Sequence, residues 1–392
     1  MPTQLNVRGP EAARTLRQVV AEEAAASEKD RTLTQRTVAA LWDSGLMQCF
    51  NPVVAGGSEP TFHDMIETWI ELAWQDASLG WIGIANLPSA AVSAAYLPQE
   101  GFDEVFTEHG NRITVGGQFF PKSLAESVEG GYRLTGAWNF GSGTGHSEYV
   151  AAGFIPMKDG SMIVGEDELP VLKVAVIPRN EVTFTDGWHV QGLKGTGSYD
   201  YEVSDLFVPA YRTFDLFCRT PRRGDSPAFK MGLLPITAAG HASWALGVSR
   251  SMIDDVTELA LTKVRMGDDS SIAHKASFQR NLAHHQAMWK AAYLLVVTTF
   301  NEIEEQVRSE HDLSPEMRAD MRVAATYATE ASREIVQWAH LAAGTSAIRE
   351  GSRLERAFRD MYTGTQHIFI SEKTYTDAAQ VRLGLIDDQI GM

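Results

Sequence analysis

The sequence predicts a mainly helical α+β fold in three consecutive parts: an N-terminal helical domain over 1–109, a central β domain over 110–218 and a C-terminal helical bundle over 228–392. Three observations carry that expectation. Apolar residues recur at helical spacing before about residue 105 and again after Leu234. Between these regions, from Ile113 to Pro209, the chain turns to glycine pairs and short β-rich runs. A polar, proline-flanked stretch from Arg219 to Pro227 then separates the β region from the returning helices.

The elements follow in order. Glu11 to Lys29 is rich in Ala, Glu and Arg, with Leu16, Val19 and Val20 on one face of a helix. Thr34 is placed to cap a second helix carrying Val38 and Leu41. Phe62, Met65, Ile66, Trp69 and Ala73 mark an amphipathic helix, and residues 78–97 read as a tightly packed interior helix. Tyr149–Phe154, Leu172–Ile177 and Glu202–Val208 read as strands of a small barrel or sandwich. In the last region Trp244, Val248, Met252 and Val256 recur every fourth residue. Leu282, Met288, Trp289, Leu294 and Leu295 mark another helix, and Val323, Tyr327, Ile335, Trp338 and Leu341 a third. Long helices with short connections predict an antiparallel bundle.

Composition excludes several classes of function. Acidic residues outnumber basic ones by 50 to 34, and the net charge of −16 argues against a nucleic-acid binder. No apolar run reaches the roughly 18–20 residues of a membrane span. Cys49 and Cys218 lack metal or redox spacing, which favours a reducing compartment, and the stretch Met1–Val7 does not read as a secretion signal, so a cytoplasmic enzyme is expected. There is no P-loop, HExxH, GxSxG or dinucleotide-binding fingerprint. His284 and His285 point about 100° apart on a helix, so no metal site is expected.

Trp138-Asn139-Phe140-Gly141-Ser142-Gly143 is more informative. Alternate residues of a strand share a face, so Trp138, Phe140 and Ser142 are expected to line up. Two aromatics, a hydroxyl and the open backbone at Gly143 would form a bed for a flat heteroaromatic cofactor. A core strand ending in a glycine turn satisfies the same pattern. Gly192-Leu193-Lys194-Gly195-Thr196-Gly197-Ser198 has the glycine content of a phosphate loop but opens no helix, so it reads as a hairpin turn. Arg356 and Arg359, one helical turn apart, read as a charged face with Arg359 pairing Asp360. His367 follows a Thr363-Gly364-Thr365 break that loosens the helix.

Taken together, these segments resemble the acyl-CoA dehydrogenase superfamily over nearly the whole chain. They most resemble its branch of two-component, reduced-flavin-dependent monooxygenases, which includes the oxygenase components of p-hydroxyphenylacetate and secosteroid hydroxylases. The segments are Ala77-Ser78-Leu79-Gly80-Trp81, residues 136–143 with His146, residues 192–198, Phe207-Val208-Pro209, and Arg359-Asp360 followed by His367. The resemblance implies a helical domain, a central β-barrel and a four-helix bundle, assembled as a homotetramer. It implies flavin in a cleft between the β domain and the bundle. Phe140 would contact the isoalloxazine and Ser142 would face its N5, with Trp138 and Gly143 in the same bed. Arg265 would reach the flavin phosphate. Trp81, Ser89 and His146 would lie toward the substrate.

Two departures separate the branches. Acyl-CoA dehydrogenases carry a catalytic Glu a few residues after the Arg-Asp pair, whereas this chain reads Gln366-His367-Ile368-Phe369. Without that base, thioester dehydrogenation has no evident proton acceptor. The monooxygenase branch has a His there, so His367 and Ser142 are the expected catalytic residues. Phenol hydroxylases carry a His near the position of Ser89, so indole-type substrates stay open. The implied activity is hydroxylation of an aromatic or heteroaromatic compound through a flavin C4a-hydroperoxide. It would use O₂ and reduced FMN or FAD supplied by a separate NAD(P)H-dependent reductase. An acyl-CoA dehydrogenase-like FAD dehydrogenase or oxidase is the alternative.

Overall fold

The structure, a computed structural model, describes residues 8–165 and 168–386. The stretch Met1–Val7 read above for a secretion signal lies outside the described residues. Among the described residues, six α-helices precede the strands: α1 (Gly9–Thr15), α2 (Arg17–Asp30), α3 (Gln35–Asp43), α4 (Phe62–Gln75), α5 (Ala77–Tyr96) and α6 (Gln99–Val105). The strands are β1 (Val115–Val128), β2 (Gly131–Gly141), β3 (Tyr149–Lys158), β4 (Ser161–Met162), β5 (Lys173–Pro178), β6 (Thr183–Thr185), β7 (Tyr199–Pro209) and β8 (Thr213–Asp215). Among the described residues, six further α-helices follow: α7 (Pro227–Met231), α8 (Leu233–Thr262), α9 (Ala276–Arg308), α10 (Pro315–Ala343), α11 (Arg353–Gly364) and α12 (Lys373–Arg382). The helix–strand–helix order is the one expected. Contacts group the chain into two compact units. The first takes the described residues through Thr61, Trp81–His189 and Lys194–Ile236. The second takes Phe62–Gly80, Val190–Leu193 and the described residues from Thr237.

In the first unit, the helix expected over Glu11–Lys29 is interrupted at Leu16, which lies between α1 and α2. Thr34 caps α3 as expected, its hydroxyl accepting the Thr37 amide at 3.2 Å. The sheet runs in the order β6-β7-β2-β1-β3-β5-β8, with β4 beside β3. No ladder joins β6 to β8 among the described residues, so pairing follows one open path. β1 and β2 form a hairpin turning at Gly130, whose φ of +80° suits glycine, and β1 pairs in parallel with β3. The core of the sheet holds Leu134, Trp138, Val150, Phe154, Ile177 and Tyr201. Trp138 stacks on Tyr201 at 5.5 Å and donates its indole N–H to the Gly153 carbonyl at 2.9 Å. The Tyr201 hydroxyl in turn donates to Ala151 and accepts from Gln118. Polar ends of buried aromatics thus find backbone partners.

In the second unit, α8, α9 and α10 are 30, 33 and 29 residues long. The Trp244, Val248, Met252 and Val256 stripe of α8 is buried, as its spacing predicts. Ser249 of α8 donates to Ser332 of α10 at 3.0 Å, and Trp289 of α9 donates to the Leu246 carbonyl at 2.9 Å. His285 of α9 stacks on Trp338 of α10 at 4.4 Å. Phe62 of α4 stacks on Phe300 of α9 at 5.3 Å. The other two stripes are only partly interior: Leu294, Leu295, Tyr327 and Leu341 are exposed. Among the described residues no helix is long and apolar enough to cross a membrane.

Two glycines set how closely these helices pack. A Cβ at Gly247 would lie 2.5 Å from the Ile70 carbonyl oxygen, and one at Gly80 would lie 2.4 Å from Ala73 Cα. Backbone cannot retreat from such contacts as a flexible side chain can. Gly247→Val is therefore expected to destabilise the protein by about 1–3 kcal/mol and to lower the thermal midpoint. An unchanged midpoint would show that α4 and α8 can separate at no cost.

Candidate active site

The first cluster lies at the end of β2. Here the ladder to β7 shifts: Trp138 pairs with Tyr201 and Gly141 with Tyr199, three steps against two. The extra residue makes a β-bulge, and Phe140 takes a φ of +59° in it, uncommon for a bulky residue. The expected alignment of Trp138 and Phe140 therefore fails. Trp138 is 1% exposed in the sheet core, whereas Phe140 is 58% exposed, its ring edge-on to Trp188 at 6.2 Å.

Ser142 follows the bulge. Trp81 Nε1–H donates to Ser142 Oγ at 3.1 Å, and Ser198 Oγ lies 2.9 Å away on a chain that continues to Thr196 Oγ1 at 2.7 Å. An indole N–H can only donate. Ser142 Oγ is thus the acceptor from Trp81 and keeps its own proton for another partner. At Gly143, φ is +76° and a Cβ would lie 1.9 Å from Asn86 Oδ1, so only glycine fits. Asn86 Nδ2 ties this turn to the Val115 carbonyl at 2.9 Å and to Ser147 Oγ at 3.0 Å. The segment 192–198 belongs to the connection of the antiparallel β6–β7 pair, and this connection is long. Thr196 and Ser198 in it are fully buried.

The second cluster surrounds His367. α11 ends at Gly364, and the His367 amide donates to the Gly364 carbonyl at 3.2 Å, the loosened end that the Thr-Gly-Thr sequence predicts. The His367 ring lies 4.2 Å from that of His241 on α8, and Phe369 lies 5.8 Å from His241. Arg322 of α10 sits 3.8 Å over the Phe369 ring and donates to the Phe369 carbonyl at 2.9 Å. Burial, assisted by the Arg322 charge, lowers His367 to about 4. Burial, then His367 and Arg322, holds His241 well below the usual histidine range. Both rings are neutral near pH 7. The Phe369 N–H donates to His367 Nδ1 at 3.2 Å. The proton of neutral His367 therefore resides on Nε2.

Several known proteins are similar to this chain. Residues 239–372 match the family described as acyl-CoA dehydrogenase, C-terminal domain. An indole-3-acetate monooxygenase of Acinetobacter baumannii is 29% identical over 373 residues, 94% of this chain and 92% of its own length. The p-hydroxyphenylacetate 3-hydroxylase oxygenase component of Acinetobacter baumannii is 25% identical over 89% of this chain and 82% of its own. The structure of XiaF from Streptomyces sp., solved with FADH2 and glycerol, superposes with a TM-score of 0.88 at 23% identity, over 97% of this chain and 96% of that one. The chain is thus similar over most of its length to proteins named as a monooxygenase and a hydroxylase oxygenase component, and in residues 239–372 to the acyl-CoA dehydrogenase C-terminal domain.

Ser89 lies in α5 beside Pro88, its hydroxyl bonded to the Ala85 carbonyl at 2.6 Å. His146 has both ring nitrogens buried without a hydrogen-bond partner, and burial followed by Arg179 lowers it to about 4. Arg265 is exposed and donates to the Ala342 carbonyl at 3.0 Å, at the end of α10. The hydrogen bonds of Arg359 run to Glu355 and to the Gln191 carbonyl. Arg356 lies 3.3 Å from Asp76. Asp360 points inward, where burial and then Asp76 push its carboxyl up to about 7. His241, Arg322, Asn86 and Ser198 are the residues that sequence reasoning missed. For His241 a signal existed, because it lies three residues before Trp244 on the buried stripe of α8.

The depressed pair His241 and His367 makes a stability prediction. An unfolded histidine titrates near pH 6.5, so between about 6.5 and 4 the unfolded chain takes up protons that folded His241 and His367 refuse. Stability should fall as pH drops through that window. In a series of urea denaturation curves, His241→Gln is expected to flatten this decline relative to wild type. An identical slope in both proteins would mean that His241 is not held neutral.

Proposed function

We propose that this chain is the oxygenase component of a two-component, flavin-dependent monooxygenase that hydroxylates a small aromatic or heteroaromatic substrate of the indole type. A separate NAD(P)H-dependent reductase would supply the reduced FMN or FAD. The observation that carries the reading is Ser142: a half-buried hydroxyl whose acceptor side is engaged by Trp81, beside the outward-turned ring of Phe140. That donor set suits a reduced isoalloxazine, which offers a flat apolar face and ring nitrogens and carbonyls along its edge. The relatives named above include an indole-3-acetate monooxygenase and an oxygenase component, and one structure holds FADH2.

When bound, reduced flavin supplies two electrons to O₂, so that one oxygen atom enters the substrate and the other leaves as water. The chain's own residues do the rest. Phe140 supports the ring plane, and Ser142 donates its remaining proton to the flavin edge while Ser198 and Trp81 hold its oxygen. Arg265 is proposed to bind the phosphate, by the fork geometry of its guanidinium. His367, neutral and protonated at Nε2, holds a proton ready for transfer and receives one back. Trp81, Ser89 and His146 are proposed to line the substrate side. Ser89 offers a hydroxyl instead of a base, which suits a substrate that need not lose a phenolic proton. The protein is proposed to act as a homotetramer in the cytoplasm. The exposed Leu294, Leu295, Tyr327 and Leu341 provide apolar surface for the assembly.

Incubation with a generic flavin reductase, NADH, FMN or FAD, and a panel of indoles, phenols and acyl-CoA thioesters tests the activity. Hydroxylated indole with matching O₂ consumption is expected. Reduction of bound flavin by an acyl-CoA would overturn the reading in favour of a dehydrogenase. Light scattering should return four times the mass of one chain, and a single-chain mass would refute the tetramer.

Ser142→Ala is expected to weaken reduced-flavin binding by up to about a hundredfold, the cost of about 1–3 kcal/mol for a lost hydrogen bond at a buried group. His367→Ala should bind flavin normally but release most of its oxygen as H₂O₂. Wild-type yield of hydroxylated product in a fully folded His367→Ala protein would remove His367 from the chemistry.

A further inference from the structure

Residues 190–193 are held by three successive contacts from α11. Arg359 Nη1 donates to the Gln191 carbonyl at 2.6 Å. Gly192 lies so close to the Arg359 carbonyl that a Cβ there would come within 2.3 Å of its oxygen. The Leu193 amide donates to Asp360 Oδ1 at 2.5 Å. Leu193 itself takes a φ of +56°, a left-handed conformation that a leucine adopts only where its surroundings impose it. Leu193 and Asp360 are each only 2% exposed, so water cannot stand in for this bond. Arg359 is itself steadied by a bidentate pair with Glu355 on the preceding turn.

Lys194 follows Leu193 directly in the chain, and two and four residues after it come the buried hydroxyls of Thr196 and Ser198 that extend the Ser142 chain. The Thr196 carbonyl also accepts the Gly143 amide at 3.0 Å. Fixing the backbone at Leu193 limits where those hydroxyls can lie. We propose that Asp360 is a positioning residue for the flavin-binding hydroxyls: it accepts the Leu193 amide, and through the backbone of residues 193–198 it sets Ser198 against Ser142. The proposal rests on the assignment of Ser142 to the flavin edge. It gives the buried Asp of the Arg-Asp sequence a task other than pairing with its neighbour or touching substrate.

Hydrogen–deuterium exchange on the flavin-free protein tests the tether directly. Asp360→Ser leaves a hydroxyl too short to reach Leu193, whereas Asp360→Asn keeps an Oδ1 acceptor of the same reach. Exchange across 190–198 is expected to quicken at least tenfold in Asp360→Ser and to remain near wild type in Asp360→Asn, while β3 stays protected in both. Reduced-FMN affinity should fall about tenfold in the Ser variant and recover in the Asn variant. Slow exchange across 190–198 in a folded Asp360→Ser protein, or equal loss in both variants, would overturn the proposal. If Asp360→Ser loses protection in β3 as well, Gly192→Ala takes its place, since it displaces the segment from the Arg359 carbonyl side. Local quickening supports the tether, and wild-type exchange sinks it. Ser142→Ala, measured alongside, separates the two ideas. If it leaves reduced-FMN affinity intact, the flavin assignment fails, and the exchange data still decide the role of Asp360.

Discussion

A single extra residue in β2 determines what the β unit can present. In an unbroken strand, Trp138, Phe140 and Ser142 would share one face, and a core tryptophan would draw the phenyl ring and the hydroxyl inward with it. The bulge opposite Tyr199 and Tyr201 breaks that alternation. Trp138 stays in the core, stacked on Tyr201, while Phe140 turns out to solvent and the chain arrives at Trp81 with Ser142 in hydrogen-bond range. The cost is a left-handed Phe140, held by the ladder on one side and by the Gly143–Asn86 fit on the other.

The two clusters share an electrostatic character. The side chains that hydrogen-bond in the chain through Ser142 are the Trp81 indole and the Ser198 and Thr196 hydroxyls, none of which carries charge. Around His367 the groups are ionisable, yet burial and the nearby Arg322 keep both imidazoles neutral. Neutral donors fixed in a poorly solvated setting hold their orientation without a counter-ion, and a proton placed among them is not readily lost to water.

Much of the architecture could be read from residue spacing. The every-fourth-residue stripe of α8, the Thr34 cap and the loosened chain before His367 all rest on local rules, and local rules carry that far. What escaped the sequence was non-local. Nothing in Trp138-Asn139-Phe140 announces a bulge, because the extra residue exists only relative to β7. Arg359 and Asp360 are neighbours in sequence, but adjacent helical residues diverge, and each meets a distant partner, the Gln191 carbonyl and the Leu193 amide. Ser198 looked like turn material because its glycine-rich surroundings dominate the local signal. Leu294 and Leu341 have the right spacing for an interior and lie outside it, since periodicity reports a face and not what covers it.

The open path of the sheet has a consequence for how the protein behaves when concentrated. A sheet that does not close leaves unpaired backbone at both ends, and long unpaired strands recruit other strands. Here the terminal strands β6 and β8 are each only three residues long. The latter carries an Asp215–Lys173 ion pair at 2.6 Å, which places charge at its margin. Short, charged margins give an incoming chain little to zip onto. The unit thereby avoids much of the aggregation hazard that an open β architecture usually brings.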